Sequence, residues 1–486
     1  MDHAQAPVLE ALVDYHRLGQ LPFTPPGHKQ GRGVDPRVVE VLGEAVFRSD
    51  VLVMSGLDDR TSSWSALLRA QELMAHAVHA EHTFFSTCGS SLSIKAALLS
   101  AAGPREKLLV SRDAHKSVIA GLILSGVEPV WVDPQWDAEL HLAHPPSPAA
   151  FEAMFAEHPD AKGALVVSPT PYGTCADLVA ISRVCHEHGT PLIVDEAWGA
   201  HLPFHPDLPI WAMNAGADVC VTSIHKMGAG LEQGSVFHLQ GLLIKPEVLK
   251  ARADLLSTTS PSVLIYAAMD GWRRQMAEQG RALYDHTLAL AEATRAAIDA
   301  IEGLAVQGRE HLCGVDRAFD MDPLQVVIDV GALNQTGYSM ADWLRRHRRI
   351  NVGLADHRRI CAQLTHADDA HSTGLLVAGL RAMVEAAAAM PAAAPVELLS
   401  PRQMRLEQVM PPRDAFFGPT EQVSADEAAG RIAAEMVTPY PPGVPAVVPG
   451  ERITGEILRY LRSGVAAGMV IPDAVDPTVG TVRVVL

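Results

Sequence analysis

Apolar residues in this chain gather in short runs set between longer stretches of helical period. Leu108–Ser111, Pro129–Val132, Ala164–Val167, Pro191–Val194 and Val219–Thr222 are the runs of strand length. Helix-like segments separate most of them, as Ala176–His188 does. Another, Ala66–Ala80, precedes the loop Phe85-Ser86-Thr87-Cys88-Gly89-Ser90-Ser91, which opens a further helix. A strand covered on both faces has no polar side, so its sequence is an unbroken apolar run. Such strands alternating with helices predict an α/β fold with a mainly parallel sheet and helices on both faces. No Gly-x-Gly-x-x-Gly follows any of the runs, so a dinucleotide fold has no support.

The flanks differ. Residues 1–50 are rich in turn signals, and Pro25-Pro26-Gly27 cannot sit inside a helix, which predicts an extended or flexible loop there. Residues 275–300 have the period of a long amphipathic helix. Ala386–Pro395 is a linker, or its alanines end a helix. Beyond it a Pro-rich stretch with Thr438-Pro439-Tyr440-Pro441-Pro442-Gly443 predicts a small α+β C-terminal domain. There is no internal repeat. At about 150 residues per domain the length allows two to four domains. The expected division is an arm over 1–55, a large domain over 56–285, a small α/β domain over 286–390 and a C-terminal domain over 391–486.

Composition narrows the partners. Hydrophobic residues are 48% and charged residues 20% of the 486, as in soluble globular proteins. The net charge is −17, and we read no block of Lys and Arg against it, so nucleic acid and anionic membrane are not expected partners. The N-terminus lacks the basic-then-apolar pattern of a signal peptide, and no apolar run approaches the ~18 residues of a membrane span. Six cysteines lie scattered without CxxC spacing, which fits reduced thiols and a cytoplasmic protein. The 22 histidines form no HExxH, and no metal is expected.

Three His-Lys pairs occur: His28-Lys29, His115-Lys116 and His225-Lys226. A Schiff-base lysine must be firmly positioned and ready to lose its proton. Lys29 sits on a Pro/Gly loop, and Lys116 starts a helix. Lys226 directly follows the apolar run Val219–Thr222, at the carboxyl end where open α/β sheets bind ligands. The run Leu192-Ile193-Val194 likewise ends in Asp195. That carboxylate could keep a pyridine nitrogen protonated, or could cap a helix. Gly89-Ser90-Ser91, with Ser223 and His225, could hold a phosphate at a helix N-terminus, although a plain turn uses the same residues. His115 follows another strand end and could stack on a cofactor ring.

In this order the pieces resemble the Orn/Lys/Arg decarboxylases, fold-type-I enzymes of the aspartate-aminotransferase-like kind that use pyridoxal 5'-phosphate. The resemblance runs from about residue 20 to the C-terminus. It is carried by Pro26-Gly27-His28-Lys29, Gly56-Leu57-Asp58-Asp59, Asp113-Ala114-His115-Lys116-Ser117, Val194-Asp195-Glu196-Ala197, Ser223-Ile224-His225-Lys226, Pro412-Arg413-Asp414-Ala415-Phe416 and Tyr440-Pro441-Pro442-Gly443. It implies Lys226 as the Schiff-base lysine, Asp195 as the pyridine partner and His115 as the ring-stacking residue. Gly89, Ser90, Ser91, Ser223 and His225 then surround the phosphate. It also implies the short form of the family, without an N-terminal wing domain. A homodimer or a dimer-based higher oligomer follows, with Thr259 or Ser260 reaching the partner's phosphate.

Three positions depart from the family pattern. Trp198 stands where His is expected, and Glu232 where a small or hydroxyl residue is expected; both are taken as substrate contacts. Leu354 stands where a Glu near the substrate side chain is expected. The implied activity is decarboxylation of arginine, lysine or ornithine to the amine and carbon dioxide, with His225 or Lys226 returning the proton. Another reaction of the same cofactor (an aminotransferase, oxidase or lyase) is the alternative. A non-catalytic protein that kept the fold is a third reading, which intact Lys226 and Asp195 argue against.

Overall fold

The structure is a computed structural model and describes residues 1–52 and 65–486. The motif Gly56-Leu57-Asp58-Asp59 lies outside the described residues. The chain divides into two compact units: Met1–Ser100 with Val194–Tyr284, and Ala101–Ile193 with Asp285–Leu486.

Seven strands carry the main architecture: β1 (His82–Ser86), β2 (Lys107–Ser111), β3 (Glu128–Val132), β4 (Ala164–Val167), β5 (Leu192–Asp195), β6 (Val219–Ser223) and β7 (Ser235–Leu239). In the first unit the order is β1-β7-β6-β5, with β7 antiparallel to both neighbours. In the second unit it is β5-β4-β2-β3, with β2 parallel to β3 and β4. Strand β5 is counted in both because its last two residues belong to the first unit. Every residue of β4, β5, β6 and β7 is buried, which is why the first three of these are legible as continuous apolar runs. The half-buried β3, which carries Pro129, ends the order, where a missing N–H does no harm.

Strands β1 and β7 were not expected. Their sequences carry polar residues that the structure hides by pairing them. Thr83 and His238 face each other in register, and the Thr83 Oγ1 to His238 Nδ1 distance is 2.9 Å. Phe84 stacks on Phe237 with ring centroids 5.2 Å apart.

The long helix expected over 275–300 runs from Val263 to Asp299. Met269, Trp272, Met276, Tyr284, Ala291 and Ile298 are buried along one stripe of it, spaced at three, four and seven or eight residues. The arm is not an extended loop throughout: it contains helices Pro7–Leu18, Pro36–Leu42 and Glu44–Ser49. In the second unit β8 (Ala305–Gln307), β9 (Gln325–Asp329), β10 (Leu354–Ala355) and β11 (Arg359–Gln363) form an antiparallel sheet in the order β8-β9-β11-β10. Helix Ala370–Ala387 absorbs the start of the alanine run, so those residues end a helix. The C-terminal segment pairs β12 (Thr420–Ser424) with β13 (Thr481–Val485).

One reading of the charge needs correction. Helix Gly337–Arg348 ends in Arg345, Arg346, His347 and Arg348, followed by Arg349, so a basic block does exist. Cations at a helix C-terminus complement its dipole, and Arg345 and Arg346 both pair with Asp342. No helix among the described residues is long and apolar enough to cross a membrane.

Candidate active site

Strand geometry assembles the centre of the site within the first unit. Strand β6 ends at Ser223, and a single turn, Ile224–Met227, presents Lys226. Its amine lies 4.5 Å from the centroid of the Trp198 ring and has no ion pair among the described residues. Burial lowers the Lys226 pKa, and Asp195 pulls it partly back. A lysine so placed gives up its proton, and becomes nucleophilic, more readily than one in water.

The other two candidate lysines are engaged. Lys29 donates to the carbonyl of Thr24 at 2.6 Å on an exposed turn. Lys116 pairs with Asp473 at 2.5 Å and lies over the Tyr440 ring.

Asp195 is buried at the end of β5, and its Oδ1 accepts the N–H of Ala197 at 3.3 Å. It caps no helix, because the chain continues as turns to the short 3₁₀ segment Leu202–Phe204. Burial raises its pKa, while the charge of Lys226 and the Ala197 N–H oppose the rise. The strand-end carboxylate and the lysine therefore stabilise each other's charged forms across a buried space.

Ser223 Oγ donates to Ser90 Oγ at 2.8 Å, joining the end of β6 to the first turn of helix Gly89–Ala101. Gly89 takes a φ of +73°, a conformation that favours glycine, and its N–H bonds the carbonyl of Gln233 at 2.9 Å. Of the three residues Gly89, Ser90 and Ser91, Gly89 has thus already committed its N–H. Ser90 is half-buried and Ser91 is exposed. His225 lies 3.0 Å through Nδ1 from the carbonyl of Gly234; a carbonyl only accepts, so Nδ1 carries a proton. Glu232 is exposed on the loop between Lys226 and β7, and Thr259 and Ser260 are exposed as well.

His115 belongs to the second unit. It caps helix Lys116–Ser125, with Nδ1 accepting the Ser117 N–H at 3.2 Å. Gly443 approaches its ring so closely that a Cβ there would collide with Cδ2 and Nε2, and the Lys116 N–H bonds the Gly443 carbonyl at 2.8 Å. Two of the resemblance-bearing segments thus meet. Leu354 is 2% exposed and packs with Val327 and Cys361. An ionised carboxylate would be out of place there.

One buried group went unassigned in the sequence. Glu196 follows Asp195 and therefore faces the opposite side of the strand end, where Cys220 and Ala212 contact it. Only its place next to Asp195 could have pointed to it.

A lysine and a carboxylate at neighbouring strand ends, with hydroxyls at a helix N-terminus, suit an aldehyde cofactor that carries a ring nitrogen and a phosphate. Together with the sheet they define a fold-type-I pyridoxal 5'-phosphate enzyme. Residues 6–372 match the Orn/Lys/Arg decarboxylase major domain and residues 400–474 the C-terminal domain of the same family. The chain belongs to the Orn/Lys/Arg decarboxylase family, and it is a pyridoxal-phosphate-dependent decarboxylase of basic amino acids. It is 37% identical to an arginine decarboxylase of Bacillus anthracis over 99% of this chain and 97% of that one. It is 36% identical to an arginine decarboxylase of Bacillus subtilis (strain 168) over 100% and 99% of the two chains. Its fold is that of the constitutive lysine decarboxylase of Escherichia coli, with a TM-score of 0.81, 21% identity and coverage of 100% of this chain and 82% of that one.

Proposed function

We propose that arginine is the amino acid this enzyme decarboxylates, giving carbon dioxide and the amine that keeps the guanidino group. The observation that carries this reading is the 36–37% identity, over nearly the whole of both chains, to two Bacillus enzymes named for that activity. The net charge of −17 favours the approach of a cationic substrate.

When bound, pyridoxal phosphate supplies an electron sink for the pair left on the α-carbon as carbon dioxide departs. Lys226 would hold it. Asp195 would keep its ring nitrogen protonated, since a buried carboxylate is stabilised by an adjacent cation. Ser90, Ser91, Ser223 and His225 would hold the phosphate near the helix N-terminus, and His115 would cover the ring. His225 or Lys226 would return a proton to the α-carbon. Trp198 shields Lys226 from water on one side, which favours loss of a carboxylate that is poorly solvated in its ground state. A homodimer is the working form in this reading, with Thr259 or Ser260 facing the partner's phosphate site.

The test is a panel of arginine, lysine, ornithine and neutral amino acids given to the holoenzyme, with products identified by mass. Arginine should lose one carbon dioxide fastest. Faster turnover of lysine or ornithine would overturn the substrate, and a keto acid, ammonia or peroxide would overturn the reaction.

A further inference from the structure

Asp195 and Glu196 are adjacent, both buried, and face opposite sides of the end of β5. Their surroundings differ in one decisive respect. Asp195 has the amine of Lys226 in its field. Glu196 is 0% exposed and is reached by no cation among the described residues. Its Oε2 accepts the Cys220 thiol at 3.0 Å and the Ala212 N–H at 3.3 Å, and its Oε1 is buried without a hydrogen-bond partner among the described residues. An ionised carboxylate with two weak neutral donors and a second carboxylate next door is far costlier to bury than a neutral acid. The proton therefore goes to the member of the pair that lacks the lysine.

The contacts of Glu196 also join elements. Cys220 lies on β6, the strand that leads to Lys226. The Glu196 backbone N–H bonds the Val221 carbonyl of that strand at 2.9 Å, and the Ser223 N–H returns to Ala197 at 3.3 Å. Gly199 packs directly on Glu196, since a Cβ there would collide with Glu196 Cγ. We infer that Glu196 is held as an un-ionised carboxylic acid and acts as a positioning residue, tying the strand end that carries Asp195 to the strand that leads to Lys226. It touches neither substrate nor cofactor. This role rests on the reading of Asp195 and Lys226 as the cofactor pair.

Two readouts test it. In the cofactor-free protein at neutral pH, the infrared difference between wild type and Glu196→Gln should contain the carbonyl stretch of a protonated carboxylic acid, lost in the variant. Its absence overturns the protonation state. In the holoenzyme, the dissociation constant for pyridoxal phosphate and the pH midpoint of its absorbance band are compared across Glu196→Gln and Glu196→Ala. Gln matches the shape and neutrality of the acid and should stay within about threefold of wild type. Ala should weaken cofactor binding by about tenfold or more and move the midpoint, as removal of an outer supporting contact does. Gln as damaging as Ala, or Ala without effect, overturns the positioning role. If Glu196→Ala does not fold, the infrared band and the Gln variant still decide. A Lys226→Ala protein that keeps the wild-type absorbance band would overturn the cofactor pair and leave the infrared result standing on its own.

Discussion

Replacing Arg273 with methionine should destabilise the first unit by about 3–5 kcal/mol, because it leaves a buried charge without its partner. Arg273 and Asp270 lie one turn apart on helix Val263–Asp299, and both are 0% exposed. Arg273 pairs with Asp270 at 3.0 Å and donates to the carbonyls of His3, at 3.0 Å, and Gln5. Asp270 also accepts the N–H of Val8 at 2.8 Å, at the start of helix Pro7–Leu18. Methionine keeps most of the apolar volume, so the loss reports the charge more than a cavity.

Burial already raises the Asp270 carboxyl, and Arg273 opposes the rise; without Arg273 it climbs further. A folded pKa above the unfolded one means that the penalty is full at neutral pH and shrinks as pH falls and Asp270 takes up a proton. The double variant Arg273→Met/Asp270→Asn removes both charges and should recover to within about 2 kcal/mol of wild type. Urea unfolding followed by tryptophan fluorescence measures this, and proteolysis in helix Pro7–Leu18 should accelerate in the single variant. A single-variant loss under about 1 kcal/mol, or a double variant no better than the single, would refute the buried-pair account.

Borohydride reduction of the holoenzyme should leave the cofactor attached to the peptide containing Lys226; attachment at Lys29 or Lys116 would overturn Lys226 as the Schiff-base lysine. Burial pushes the His238 ring down to about 3, below its usual 6.5. Stability should therefore be full above pH ~6.5 and decline toward pH 3 by up to ~5 kcal/mol. His238→Phe should flatten that acid limb in a pH series of melts, and an unchanged slope would count against it. Leu354→Glu should cost about 3 kcal/mol or more at neutral pH, since it puts a carboxylate among Val327 and Cys361. An unchanged Tm would mean that position 354 reaches water.

The doubly covered strands were legible in the sequence because burial on both faces leaves nothing but apolar residues, as in Ala164–Val167 and Leu192–Asp195. Strands β1 and β7 were not, because Thr83, His238, Ser93 and Ser235 satisfy one another inside, and Ser93 and Ser235 meet at 3.0 Å. No local pattern announces a partner 142 or 155 residues away. The placement of Lys226 just after a strand was legible from the apolar run before it. The candidate phosphate donors were legible only as residue types, and the Gly89 N–H is committed to the carbonyl of Gln233. The inferred state of Glu196 was not legible at all, because it turns on the lack of a cation beside it among the described residues.

The family resemblance leads one to expect a carboxylate near the substrate side chain within residues 351–356. Leu354 faces an apolar cluster, so the expected carboxylate has no place on that side. Position 353 looks the other way, and there a glycine makes room for the amide of Gln363, into which any Cβ would collide. That amide is neutral, and its Nε2 is buried without a partner among the described residues. Asp356 is the one carboxylate in the segment, and it is committed: it accepts the Tyr172 hydroxyl at 2.8 Å, the Arg359 guanidinium at 3.1 Å and the Arg358 N–H at 2.7 Å. A carboxylate already answered by arginine has little field left for a second cation. Recognition of a guanidinium or ammonium tail then has to come from outside this segment. Glu232, exposed and without an ion pair among the described residues, remains the group to test for it.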